Sequence, residues 1–130
     1  MTTTCMKKTF NLYEANRALV FVAPVTADIA RLFLTLEGAE NSQKDVETLH
    51  KIQNCINELK QVGCICRDPK IGLIDFPSFY KNEPVFLCWQ LGEDEIVHYH
   101  GLQNCLGNRQ TIDEDFVRFN CNAPLEFAGV

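Results

Sequence analysis

Basic side chains are scarce relative to acidic ones: 12 Lys and Arg stand against 17 Asp and Glu, a net charge of -5. That balance argues against a nucleic-acid or anionic-membrane binder, because phosphate contacts need clustered Lys and Arg. Several signatures are missing as well. The chain has no Gly-x-Gly-x-x-Gly, no phosphate loop with Gly-Lys-Ser/Thr, no Gly-x-Ser-x-Gly and no His-Glu-x-x-His. Nothing therefore points to a dinucleotide fold, a phosphate-loop enzyme, a serine hydrolase or a zinc protease. No unbroken apolar run of about 18 residues occurs, so no transmembrane helix is expected. The opening "MTTTCMKKTFNLYEANRA" places Asn11, Glu14 and Asn16 where a signal peptide needs an apolar stretch. A cytoplasmic protein is expected.

What is present suits one domain. The chain has 130 residues and 46% hydrophobic content, enough for a core without staples. Cysteine is plentiful, with seven residues. An odd count without a signal peptide reads as free thiols acting as small apolar side chains. Cys64 and Cys66 form a Cys-x-Cys pair, but no second pair completes a four-ligand site.

The chain divides into a helical hairpin over about 11–62, a sheet over about 64–100, and a loop with a tail over 101–130. Asn11 and Glu14 have the spacing of a capping box. Leu12, Ala15, Leu19, Val22, Ile29 and Phe33 recur at helical spacing, with Pro24 expected to kink one helix rather than divide it. A second helix starts at Ser42, with Val46, Leu49, Ile52, Ile56 and Leu59 as its stripe, and Gly63 closes it. The first helix is apolar over a wider arc than one partner helix needs.

Beyond Gly63 the period becomes strand-like. "CICR" and "IGLIDF" read as a hairpin ended by Pro77, with "SFYKNE" as a loop. "PVFLCWQL" and "IVHYH" form a second hairpin around "GEDE". If Leu91 faces Ile96, Trp89 faces His98 and Leu87 faces His100, though a slip of one residue exchanges the faces. "TIDEDFVRF" reads as a short helix with Thr111 and Glu114 as its box, and "NCNAPLEFAGV" as a tail. Blocks of helix and then strand give an α+β fold: an antiparallel helical hairpin followed by a small antiparallel sheet of about four strands.

Asp75, His100 and Arg109 are the candidates for chemistry. Converging, they would give a carboxylate, a base and an anion holder. The competing reading is a buried charge-assisted network that ties the sheet to the following loop. Trp89 is either a stacking platform or core, and Glu93 belongs to an acidic turn with Asp94 and Glu95. His98 and His100, two apart on a strand, share a face. They are weak metal candidates with a third ligand from Cys64, Cys66, Cys88 or Glu95. The expectation is no resident metal and no cofactor, with His100 as the positioning histidine and His98 incidental.

"GLIDFPSF", "VFLCWQLGEDEIVHYH" and "GNRQ", with "FNLYEAN" near the start, resemble a bacterial family known as domain of unknown function 2203. Matching positions are Phe10, Glu14, Ala15, Asn16, Gly72, Leu73, Asp75, Phe76, Pro77, Leu87, Cys88, Trp89, Leu91, Gly92, Glu93, Ile96, His100 and Arg109. The pattern spans roughly residues 9–112. Departures are Gln90 for a usual Arg, Cys105 and Asn108 for glycines, His98 for an aromatic, and Cys64 and Cys66 where the pattern has no cysteine. The resemblance implies a fold and a site position but no activity.

Two functions follow as expectations. One is a small cytoplasmic structural or interaction module that pairs with a second copy through its helical hairpin, as a homodimer. The other is an enzyme or small anionic-ligand binder centred on Asp75, His100 and Arg109, with Trp89 and Glu93 beside it.

Overall fold

The computed structural model describes residues 9–38, 42–102 and 109–120. Two helices, α1 (Leu12–Gly38) and α2 (Ser42–Val62), precede five strands: β1 (Ile65–Asp68), β2 (Leu73–Tyr80), β3 (Glu83–Gln90), β4 (His98–Gly101) and β5 (Gln110–Thr111). The strands form one antiparallel meander in chain order. The fold is therefore α+β as the residue pattern indicated, with five strands rather than four. The extra strand is the two-residue β5, too short to leave a periodic signal.

The helix boundaries follow from their caps. Asn11 Oδ1 accepts from Glu14 N at 2.8 Å, and Glu14 Oε1 accepts from Asn11 N at 2.9 Å, closing the capping box. Pro24 lies inside a single continuous α1. Gly63, with φ 113°, ends α2 and donates to the Lys60 carbonyl at 3.0 Å. Residues 39–41 of the connection between the two helices, residues 103–108 of the loop expected after the sheet, and the tail from 121 lie outside the described residues.

Leu12–Leu36 is long and apolar enough, by length and composition alone, to cross a membrane, its most apolar 18-residue window having a mean hydropathy of 1.8. Scattered Asn, Glu, Arg and Asp hide this from a search for unbroken runs. The same helix supplies the core of the fold through Ala15, Leu19, Val22, Val25 and Ile29. That core includes Ile52 and Leu59 of α2 and Ile74, Phe76, Val85, Leu87 and Trp89 of the sheet. Val46 and Leu49, assigned to the α2 stripe by spacing, are about half exposed instead.

Two strand assignments need correction. β2 runs through Pro77 to Tyr80, and the hairpin turns at Lys81 and Asn82, both with positive φ (54° and 67°). This two-residue turn has the left-handed geometry that tight hairpins require. Proline is tolerated because β1 pairs with β2 only as far as Asp75. The Pro77 carbonyl accepts from Phe10 N at 2.8 Å, so this edge of the residue faces away from β3 and no ladder donor is lost. The β3–β4 register is also one residue from the expected one: Cys88 opposes His98, Leu87 opposes Tyr99 and Phe86 opposes His100. The connection is longer than a four-residue turn, since β4 starts only at His98. Ile96 is buried, and its N–H donates to Asn16 Oδ1 at 2.8 Å, which fixes the loop onto α1.

A short helix over 114–120 closes the described chain. Its cap is Asp113, whose Oδ1 accepts from Phe116 N at 2.9 Å, rather than Thr111, which is in β5. Phe116 packs on Tyr99 and Tyr80 with ring centroids 4.4 and 4.8 Å away. Asn120, expected in a loose tail, is buried. Its amide accepts from Leu12 N and donates to Ser78 Oγ at 2.8 Å and to the Phe79 carbonyl at 2.9 Å.

Gly72 carries the tightest backbone approach. Its φ is +72°, and a Cβ there would meet Leu91 Cβ at 2.5 Å and Thr26 Cγ2 at 3.0 Å. Gly72→Ala is expected to cost about 2–4 kcal/mol, from left-handed strain and overpacking together. Urea denaturation checks this, and a loss below about 0.5 kcal/mol would contradict it.

Candidate functional site

Strand alternation divides the chemistry of the sheet into two faces. Ile74, Phe76, Leu87 and Trp89 point to the helices and are buried. Their neighbours point the other way. In the hydrogen-bonded register, Asp75 stands opposite Cys88, and Cys88 opposite His98. Pro77, Phe86 and His100 make the next row on the same face.

Asp75 is the centre of this face, at 1% exposure. Its Oδ2 accepts from Arg67 Nε at 2.7 Å and lies 3.0 Å from His100 Nε2. Arg67 stands over the Phe86 ring at 4.8 Å, and that ring is 5.6 Å from the His100 ring. A buried carboxylate needs such compensation, since an unpaired one costs several kcal/mol. Arg67 is a partner that the residue pattern did not single out. The available signal was a basic residue on β1 in the same hairpin as Asp75.

His100 is 6% exposed, and its bonding is constrained. Its Nδ1 is 2.8 Å from the Gly101 carbonyl oxygen, which can only accept. Nδ1 therefore carries a hydrogen. A neutral imidazole has one N–H, so Nε2 would then turn a lone pair toward the carboxylate. Two lone pairs at 3.0 Å repel. The contact needs a hydrogen or a metal ion between the two atoms.

Cys88 completes the cluster. Its sulfur, an Asp75 carboxylate oxygen and a His100 ring nitrogen all lie within 4.8 Å of one another. Burial, and then the Asp75 charge, push the Cys88 thiol up to about 11. It is neutral near pH 7 and is no thiolate nucleophile in this state. Cys64 and Cys66 also rise through burial, to about 12 and about 11.

Arg109 is on the same side but does not join Asp75 and His100. It donates to Glu93 at 3.2 and 3.3 Å and to the Cys88 carbonyl at 3.4 Å. Glu93 also accepts from Gln90 N at 2.9 Å, so this pair fastens the loop after β3. The expected trio is thus a contacting pair, Asp75–His100, and a separate Arg109–Glu93 pair that reaches the Cys88 carbonyl. Trp89 is on the opposite face at 1% exposure, its ring N–H donating to the Glu93 carbonyl at 2.9 Å. It acts as core and gives way as a stacking platform. His98 shares the face of His100, but its buried Nδ1 has no hydrogen-bond partner among the described residues. The same is true of Asp75 Oδ1 and Arg109 Nε.

His100→Ala removes one member of a buried pair and should cost on the order of 1–3 kcal/mol. His98→Ala deletes a group with an unpartnered nitrogen and should stay within about 0.5 kcal/mol. Chemical denaturation of the two variants decides. Equal losses, or a larger loss for His98→Ala, would contradict the assignment of the structural role to His100.

No curated protein and no solved structure matches this chain. A family model does, over residues 8–112, and its description is an uncharacterized conserved protein. That range covers both helices, all five strands and every residue of the polar face described above. The chain belongs to the family known as domain of unknown function 2203.

Proposed function

We propose that the chain is a small interaction module that pairs with a second copy of itself through its helical hairpin. The observation that carries the reading is the outer face of α1. Val20 is 83% exposed, Leu34 70%, Tyr13 63% and Phe21 48%, in a helix whose most apolar window is only 28% buried. Large apolar side chains clustered on one face of a helix mark a contact surface rather than scatter.

Charge order supports a second copy as the occupant. Glu14, Arg17, Phe21, Pro24, Asp28 and Arg31 are all exposed and recur at three-four spacing along one stripe. The stripe reads acidic, basic, apolar, apolar, acidic, basic. A two-fold antiparallel pairing centred between Val22 and Ala23 sets Glu14 against the partner's Arg31. It sets Arg17 against the partner's Asp28, and Phe21 against the partner's Pro24. The pattern is thus self-complementary, as an isologous contact requires. The Arg31–Asp28 bond of 3.0 Å within one chain is a solvent-exposed pair. Such pairs contribute little and can be exchanged for contacts across an interface. The reading places the module in the cytoplasm, supported by the unpaired thiols of Cys55, Cys64, Cys66 and Cys88.

Sedimentation velocity at micromolar concentration tests the pairing. The full chain is expected to sediment as a dimer. Arg17→Glu should weaken it about tenfold or more by setting like charges together, and adding Asp28→Arg to the same chain should restore it. A monomer at every concentration, or no rescue by the exchange, would contradict the reading.

A further inference from the structure

We propose that Asp75, Cys88 and His100 form a three-ligand site for one divalent transition-metal ion of the zinc class. Three adjacent strands deliver one ligand each: β2 gives a carboxylate, β3 a thiol and β4 an imidazole. Their donor atoms already lie within 4.8 Å of one another, and all three residues are buried. A tetrahedral zinc site with nitrogen, oxygen and sulfur ligands has edges of about 3.4–3.6 Å, within reach of small side-chain adjustments on a fixed sheet.

The surroundings are those of ligands held in place. The bond from Nδ1 to the Gly101 carbonyl, 2.8 Å, leaves Nε2 as the coordinating nitrogen and fixes the ring plane. Arg67 holds Asp75 Oδ2 at 2.7 Å, while Oδ1 is buried without a hydrogen-bond partner among the described residues. Oδ1 is therefore the carboxylate atom open to an ion. A metal held by Oδ1 and Nε2 would also give the imidazole lone pair a partner in place of its 3.0 Å contact with Oδ2. Binding exchanges the Cys88 S–H proton, released to buffer, for a sulfur–metal bond.

The donor set selects the ion. Thiolate and imidazole disfavour magnesium and calcium and suit zinc, cobalt(II) or nickel(II). Three protein ligands leave a fourth position for water or a small ligand, as in zinc sites that do chemistry. His98 is not in this set. The site is independent of α1 pairing, because it lies on the sheet face turned away from the helices.

Cobalt(II) is the probe that reports its own ligands. The reduced, chelator-stripped full chain is titrated anaerobically with cobalt(II), and absorbance is read. One equivalent should give a sulfur-to-cobalt charge-transfer band and visible bands of a tetrahedral ion. Cys88→Ser, nearly isosteric, should remove the charge-transfer band. Asp75→Asn and His100→Ala should each weaken binding about tenfold or more. Cys64→Ser with Cys66→Ser should leave the titration unchanged. Circular dichroism of each variant separates loss of ligand from loss of fold. No binding of cobalt(II) or zinc at micromolar concentration by the native chain would overturn the proposal. So would a charge-transfer band that survives in Cys88→Ser or vanishes only in the Cys64 and Cys66 variant.

Discussion

A carboxylate at 1% exposure must be compensated where it stands, and the outer face of this sheet is built around that requirement at Asp75. Arg67 comes from β1 and His100 from β4, so the compensation joins strands on both sides of the β2–β3 pair. Gly101 then anchors the imidazole from behind. Each partner is fixed by strand register, because a slip of one residue would turn Asp75 into the apolar core and Ile74 or Phe76 out of it. The polar network and the apolar core are thus two faces of one registration, and neither can be changed alone.

The parts of the fold legible in the sequence are those set by local chemistry. Asn11 and Glu14 announce a capping box, and the box is there. Gly63 announces a helix end, and it adopts the left-handed conformation that such an end uses. What was not legible depends on distant contacts. Pro77 looks like a strand terminator until the short reach of β1 frees that edge of β2. The β3–β4 register looks like a tight turn until Asn16, some 80 positions earlier, captures the Ile96 N–H. Asn120 looks like tail, yet its side-chain amide ties α1, β2 and the last helix together.

The candidate site was half legible for the same reason. Asp75 and His100 were identified by residue type and by matching positions in the family pattern, and they touch. Arg109 was grouped with them on the same grounds, but it pairs with Glu93 instead. Arg67 lies outside the family positions, so only the hairpin register reveals it. In the sequence, Cys88 figures only as one of four possible third ligands beside His98 and His100. The face it occupies follows from its pairing with Asp75, not from its neighbours in sequence. On the other side of the fold, α1 carries two roles at once. One arc is core, and the opposite arc combines apolar exposure with charges in a self-complementary order.

The coupling between Asp75 and His100 is the most direct measure of whether one buried pair organises this face. A double-mutant cycle with Asp75→Asn and His100→Gln, read by equilibrium denaturation, isolates their interaction from the losses at each site. An interaction energy on the order of 1–3 kcal/mol is predicted, as for contacting members of one buried network. Additive losses, with coupling below about 0.3 kcal/mol, would contradict it and leave the two residues as neighbours without a shared role.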